Sequence, residues 1–305
     1  MISIRDIEAA RDRIAEIIVK TPLLTDPTGR ALLIKGEHLQ RTGSFKLRGA
    51  ANRVSVAVQQ GATHVVTASS GNHGQAVAYI AQRLGIRATV VVPEDAPAVK
   101  VDGIRRCGAA VELCGLTSPE RMARAEAIVR ELGAVLIAPY DDPLIMAGQG
   151  TIGLEILEQL PEVETVFVPI GGGGLISGVA TALKERKPGI RVIGVEPELG
   201  SDTFQSFRKG EIVSIPGSRS IADGLRTSAP GHLTFPVIQK YVDDVTTVSE
   251  ADIREAVKYL LFERKQLVEP SGAVTVAAAL RYGRPTVAVV SGGNVDWAAM
   301  PSLLA

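Results

Sequence analysis

Only two cysteines, Cys107 and Cys114, occur in the 305 residues. That is too few for a disulfide framework or a cysteine-rich zinc site, and both read as small core residues with reduced thiols. No sign of charge is in excess: 33 Lys plus Arg balance 33 Asp plus Glu, so no global field collects nucleic acid or an anionic membrane. No run approaches the ~20 apolar residues of a membrane span. The opening Ile4-Arg5-Asp6-Ile7-Glu8 is charged where a secretory signal is apolar. The expectation is a cytoplasmic protein with no nucleic-acid or membrane partner. No repeat, low-complexity tract or long linker divides the chain.

What is present is an ordinary globular composition, 46% hydrophobic and 22% charged, on a chain long enough to bury a sizeable core. Short β-branched runs bounded by Gly, Pro or Asn at 31–35, 64–68, 88–92, 109–113, 165–169, 191–195 and 286–290 read as buried strands. Helical periodicity fills the intervals, as at 48–58, 74–84, 119–132, 152–159, 175–187 and 250–265. Such alternation predicts an α/β fold of two doubly wound, mostly parallel sheets. The expected division is a large domain of 1–63 and 142–305 and a small domain of 64–141. Ligands belong at the carboxyl ends of the strands, where crevices open.

Four segments there carry chemistry. In Thr42-Gly43-Ser44-Phe45-Lys46-Leu47-Arg48-Gly49 a lysine stands at a helix N-terminus. The helix dipole disfavours a cation at that end, so Lys46 is either solvated or has its charge removed, for instance as an imine. Ser69-Ser70-Gly71-Asn72-His73 joins a strand to a helix, so its hydroxyls and free N–H groups suit a carboxylate or phosphate; it also reads as a plain N-cap and turn. Gly171-Gly172-Gly173-Gly174-Leu175 again follows a strand and opens a helix. Four glycines in a row make sense where backbone N–H groups wrap a phosphate. Neither a nucleoside-triphosphate loop nor G-x-G-x-x-G fits the register. Ser291-Gly292-Gly293-Asn294 ends the last strand and, alone, is only a turn.

Together and in this order, the four segments resemble the pyridoxal-phosphate enzymes of the tryptophan-synthase-β fold group, and within it the serine/threonine dehydratases and serine racemases. The likeness runs from about Ile4 to Asn294. It implies that Lys46 forms the Schiff base with pyridoxal 5'-phosphate and that Phe45 packs near its ring. By the same resemblance Asn72 bonds the ring hydroxyl, Gly171, Gly172, Gly173, Gly174 and Leu175 hold the phosphate, and Ser291 faces the pyridine nitrogen. A hydroxyl there, rather than a carboxylate, favours elimination or reprotonation at Cα over transamination. The substrate carboxylate is expected on Ser69, Ser70, Gly71, Asn72 and His73, with Lys46 as the general base.

The implied activity is loss of water from a hydroxy amino acid of the L-threonine or L-serine type, giving a 2-oxo acid and ammonia. Racemisation, with Lys46 and Ser70 as the two bases, is the alternative, because the racemases carry a serine at position 70. Pro139-Tyr140-Asp141-Asp142-Pro143 resembles the dehydratases instead, whereas Arg121 aligns with an arginine of the racemases. The resemblance further implies a homodimer. It also implies a Mg²⁺ or Ca²⁺, rather than zinc, held by the hard oxygen donors of Glu196, Asp202 and the carbonyl of Gly200; the alternative is two solvated acids with no metal. The segment 22–39 is shorter than the family pattern, and from the short tail after Asn294 no regulatory domain is expected. A rival of another class is a dinucleotide-binding oxidoreductase, with Glu196, 22 residues after Gly174, as the ribose-binding acid. It leaves Lys46 and Ser69 to His73 unexplained. Cysteine synthases share the cofactor but run Gly-Ser-Val-Lys-Asp-Arg at the lysine.

Overall fold

Apolar residues on both faces of successive strands build two sheets, each covered by helices on both sides, in a computed structural model. The structure describes residues 1–27, 29–69, 71–96 and 98–305, without the side chains of 98–100 and 118. The chain opens with α1 (Ile4–Ile14), β1 (Leu23–Leu24), β2 (Leu32–Gly36) and α2 (Lys46–Gln59). It continues through β3 (His64–Ala68), α3 (Asn72–Arg83), β4 (Arg87–Val92), α4 (Ala98–Arg106), β5 (Ala110–Leu113), α5 (Ser118–Leu132) and β6 (Val135–Leu136). Next come α6 (Pro143–Gln159), β7 (Thr165–Pro169), α7 (Gly174–Arg186), β8 (Arg191–Pro197) and α8 (Asp202–Lys209). The last elements are α9 (Thr234–Tyr241), β9 (Asp244–Val248), α10 (Glu250–Phe262), α11 (Pro270–Tyr282), β10 (Thr286–Val290) and α12 (Met300–Leu304).

The larger sheet has six strands in the order β1-β2-β10-β7-β8-β9, all parallel except the antiparallel β1–β2 pair. The smaller has four parallel strands in the order β5-β4-β3-β6. Residues alternate faces along each strand. In β7 and β10, Val166, Val168, Val287 and Val289 pack toward α6, α7 and α9, while Phe167, Ala288 and Val290 pack toward α10 and α11. On the small sheet α5 covers one face through Ala125 and Ile128. The other face packs on α2 and α3, so its core takes Leu47, Ala50, Ala51 and Val54 as well as Ile14 and Ile145.

Helix α6 is wedged between α2 and α7 by backbone-to-backbone contact. A Cβ on Gly148 would lie 2.6 Å from the Arg48 oxygen of α2, and one on Gly178 of α7 would lie 2.2 Å from the Met146 oxygen. Beneath this wedge runs a buried charge network. Arg48 donates to both oxygens of Glu37 (2.7 and 2.8 Å) and of Glu155 (2.7 and 2.9 Å), and Lys35 Nζ reaches Glu155 at 2.6 Å.

The expected strands fall within two residues of those observed, but β1, β6 and β9 lie outside them. Two of these are two residues long and carry no periodicity, and β9 is a polar edge strand, Asp-Val-Thr-Thr-Val. Helix α6 begins at Pro143 rather than 152; its first half carries Gly148 and Gly150, which weaken helical propensity but are needed where α2 and α7 approach closely. Helix α10 stops at Phe262, three residues before the expected end, and Lys265 has a left-handed backbone (φ 55°) that no helix continues through. Between β1 and β2, Asp26 accepts from Tyr259 of α10 and from Arg264 just beyond it.

Candidate active site

The loops that leave the carboxyl ends of β3, β7 and β10 converge with the N-terminus of α2 on one cavity of about 270 Å³. Lys46 is the first residue of α2, and Phe45 before it has no side chain able to cap the helix. Gln149 of α6 supplies part of the cap, accepting from Gly49 N at 3.1 Å. The amine of Lys46 donates to the Pro139 oxygen at 2.7 Å, lies 5.3 Å from the Phe45 ring centre, and is lowered by burial to about 8. A substantial neutral fraction at ordinary pH makes it a nucleophile.

From β3 the chain passes through Ser69 and Gly71 into α3, whose first residues are Asn72 and His73; all four line the cavity. Ser70 lies outside the described residues. His73 Nε2 donates to the Ile137 oxygen at 3.1 Å, which fixes the tautomer and leaves Nδ1 without a partner. Burial, and then the charge of Lys46, push this imidazole down to about 3, so it is neutral. Asn72 bridges two groups, donating through Nδ2 to Glu269 at 2.7 Å and accepting at Oδ1 from Asn294, also at 2.7 Å.

Between β7 and α7 the backbone N–H groups of Gly171, Gly172, Gly173, Gly174 and Leu175 have no acceptor among the described residues, and all five residues line the cavity. Gly173 has φ 93°, which L side chains rarely adopt, and a Cβ on Gly172 would fall within 2.4 Å of the Tyr140 ring. Five free donors at the N-terminus of a 13-residue helix form an anion cradle that suits a phosphate. Ser291, at the end of β10 and 3% exposed, lines the same space and donates to the Ser271 oxygen at 3.4 Å. A depressed amine and a phosphate cradle on one cavity suit the capture of a small phosphate-bearing aldehyde.

In the segment 139–143, Tyr140 lines the cavity while the two aspartates are caps. Asp141 accepts the N–H groups of His232, Leu233 and Thr234 at the start of α9; Asp142 caps α6 and pairs with Arg53 at 2.9 Å. Arg121 of α5 also lines the cavity and donates to the Leu116 oxygen at 3.2 Å.

Glu196, Gly200 and Asp202 lie off the cavity. Glu196 is fully buried and accepts from the N–H groups of Thr203 and Phe204, capping α8. Asp202, equally buried, accepts from Thr227, a cavity residue. Burial, and then Asp202, hold the Glu196 carboxyl well above the usual range; burial pushes Asp202 up to about 6. Neither has an ion-pair partner among the described residues, and no group of three or more His, Cys, Asp or Glu there could hold a metal. A cation at this place would therefore need backbone oxygens such as that of Gly200 beside the two acids.

Sequence reasoning passed over Glu269, Ser271 and Gln149, all on the cavity. Glu269-Pro270-Ser271-Gly272 carries the signal of a helix start, and nothing in it marks a site. No helix among the described residues is long and apolar enough to cross a membrane.

The sequence profile of "Pyridoxal-phosphate dependent enzyme" matches residues 14–292. The chain is 43% identical to an L-threonine ammonia-lyase of Thermotoga maritima, over 97% of this chain and 76% of that protein. It is 46% identical to a serine racemase of Arabidopsis thaliana, over 96% of this chain and 93% of that one. Among solved structures, maize serine racemase superimposes with a TM-score of 0.94 at 40% identity, covering 99% of this chain and 96% of the other. With its amine, glycine cradle and serine on one cavity, the chain belongs to the family of pyridoxal-phosphate dependent enzymes.

Proposed function

We propose that the protein is an ammonia-lyase that removes water from a hydroxy amino acid of the L-threonine or L-serine type and releases a 2-oxo acid and ammonia. The observation that carries this reading is the one cavity on which the Lys46 amine, lowered to about 8, stands together with the five N–H groups at α7 that have no acceptor among the described residues. Pyridoxal phosphate, when bound, supplies an electron sink for the charge that develops at Cα. Lys46 would hold it covalently, with Gly171 to Leu175 at its phosphate, Asn72 at its ring oxygen and Ser291 at its ring nitrogen. The N–H groups of Gly71, Asn72 and His73, with the Ser69 and Ser70 hydroxyls, take the substrate carboxylate at the start of α3. Lys46, as a neutral amine, would then take the Cα proton, the β-hydroxyl would leave as water, and hydrolysis of the resulting enamine's imine form would give the 2-oxo acid and ammonia.

Family membership leaves no role for the dinucleotide reading of the glycine loop. Racemisation stands as the second reading, favoured by the serine at position 70, while Tyr140 on the cavity favours dehydration. Incubation of cofactor-saturated protein with L-serine, L-threonine and L-threo-3-hydroxyaspartate separates them. The expected result is 2-oxo acid without D-amino acid; accumulation of the D-enantiomer would make the protein a racemase, and neither product would refute the substrate class.

The reading includes a Mg²⁺ or Ca²⁺ on Glu196, Asp202 and the Gly200 carbonyl, supported by two buried acids that no basic side chain among the described residues neutralises. There the ion would brace α8 and, through Thr227, the cavity wall. Adding Mg²⁺ to metal-free protein is expected to raise the thermal midpoint, and Glu196→Ala to abolish the rise. A cytoplasmic homodimer completes the reading, and sedimentation tests the oligomeric state.

A further inference from the structure

Thr42, Asn294, Asn72 and Glu269 form one hydrogen-bonded chain across the mouth of the two sheets. The Thr42 carbonyl accepts from Asn294 Nδ2 at 2.9 Å, and the same NH₂ group donates to Asn72 Oδ1 at 2.7 Å. Asn72 Nδ2 then donates to Glu269 Oε1 at 2.7 Å. The Thr42 end fixes the direction: a carbonyl has no proton to give, so Asn294 must turn its NH₂ group toward it and toward Asn72 Oδ1. Each amide between them therefore has one consistent orientation. Asn72 spends its oxygen on Asn294 and one N–H on Glu269, which leaves its second N–H, and Asn72 lines the cavity.

Packing holds the chain in place. A Cβ on Gly292 would lie 2.2 Å from Glu269 Oε1, and one on Gly43 2.3 Å from Asn294 Oδ1, so each side chain rests directly on a glycine backbone. Thr42 lies four residues before Lys46, and Asn294 three after Ser291, so the chain of bonds connects the segments that hold both ends of the ring.

We propose that Glu269 and Asn294 are positioning residues that keep the nitrogen of Asn72, and not its oxygen, turned toward the ring oxygen of the bound cofactor. This rests on the cofactor reading above. A donor at that oxygen favours its ionised form and leaves the shared proton on the nitrogen bonded to Lys46, which gives visible absorbance. A reversed amide presents an acceptor instead, so the ring oxygen keeps its proton and absorbance moves to the near ultraviolet.

The test is the ratio of visible to near-ultraviolet absorbance in cofactor-saturated protein at fixed pH, with bound cofactor quantified after release in alkali. Two isosteric variants are compared: Glu269→Gln, which can donate as well as accept, and Asn294→Asp, which cannot donate to Asn72. Each is expected to lower the ratio at least about threefold at unchanged loading, as loss of one orienting hydrogen bond allows. A merely structural role would move the thermal midpoint and leave the ratio alone. An unchanged ratio in both variants, with cofactor bound, overturns the inference. Wild-type protein that binds no cofactor would instead overturn the reading on which it depends.

Discussion

Burial in the cavity strips hydration from the Lys46 amine, and that sets its chemistry. Its amine is lowered to about 8 from the ordinary 10.5, so the folded protein gives up this proton before the unfolded chain does. Two consequences follow from the sign. Cofactor capture by the apoprotein needs the neutral amine, so its rate should rise with pH and level off above about 8, measured by stopped-flow absorbance. Between about 8 and 10.5 the unfolded state holds the extra proton, so this group's contribution to apoprotein stability increases with pH. Lys46→Ala should leave nothing for borohydride to fix to the chain, as mass spectrometry would show. Lys46 and the glycine loop were legible because each is a local oddity, a cation or a costly glycine run at a helix start. Glu269 was not, because its partner Asn72 lies 197 residues away.

At the scale of elements, α6 decides where the lysine helix and the cradle helix stand. Gly178 of α7 faces the Met146 oxygen so closely that Gly178→Ala must push α6 and α7 apart. The expected cost is ~1–3 kcal/mol, read as a lower urea midpoint. Gly171→Ala is the contrast: its Cβ would find its nearest neighbours at 3.4 Å, ordinary contact, so stability should barely change. The first half of α6 was illegible for the reason that makes it work. Glycine weakens an isolated helix, and only the neighbouring backbones, absent from a local reading, repay it. The same limit hid β1 and β6, which exist through their pairing with β2 and β3.

For the whole molecule, alternating β-branched runs and helical stretches were enough to announce two parallel sheets, since burial on both faces leaves a continuous apolar run. How the sheets share their helices was not. Helix α2 precedes the small sheet in sequence yet packs into its core, and its far side is fastened by Arg48 to Glu37 and Glu155. Replacing Arg48 with Leu should cost ~3–5 kcal/mol in a guanidinium titration, because two carboxylates would be left buried without it. Burial alone would lower the Arg48 guanidinium and raise Glu37, but their mutual attraction prevails and sends each the other way. Both therefore keep their charge throughout the interval in which Lys46 loses its own. The α2 anchor therefore holds its charge while the cavity titrates, so an inflection near 8 in a pH–rate profile reports on Lys46 rather than on a loosening of this network.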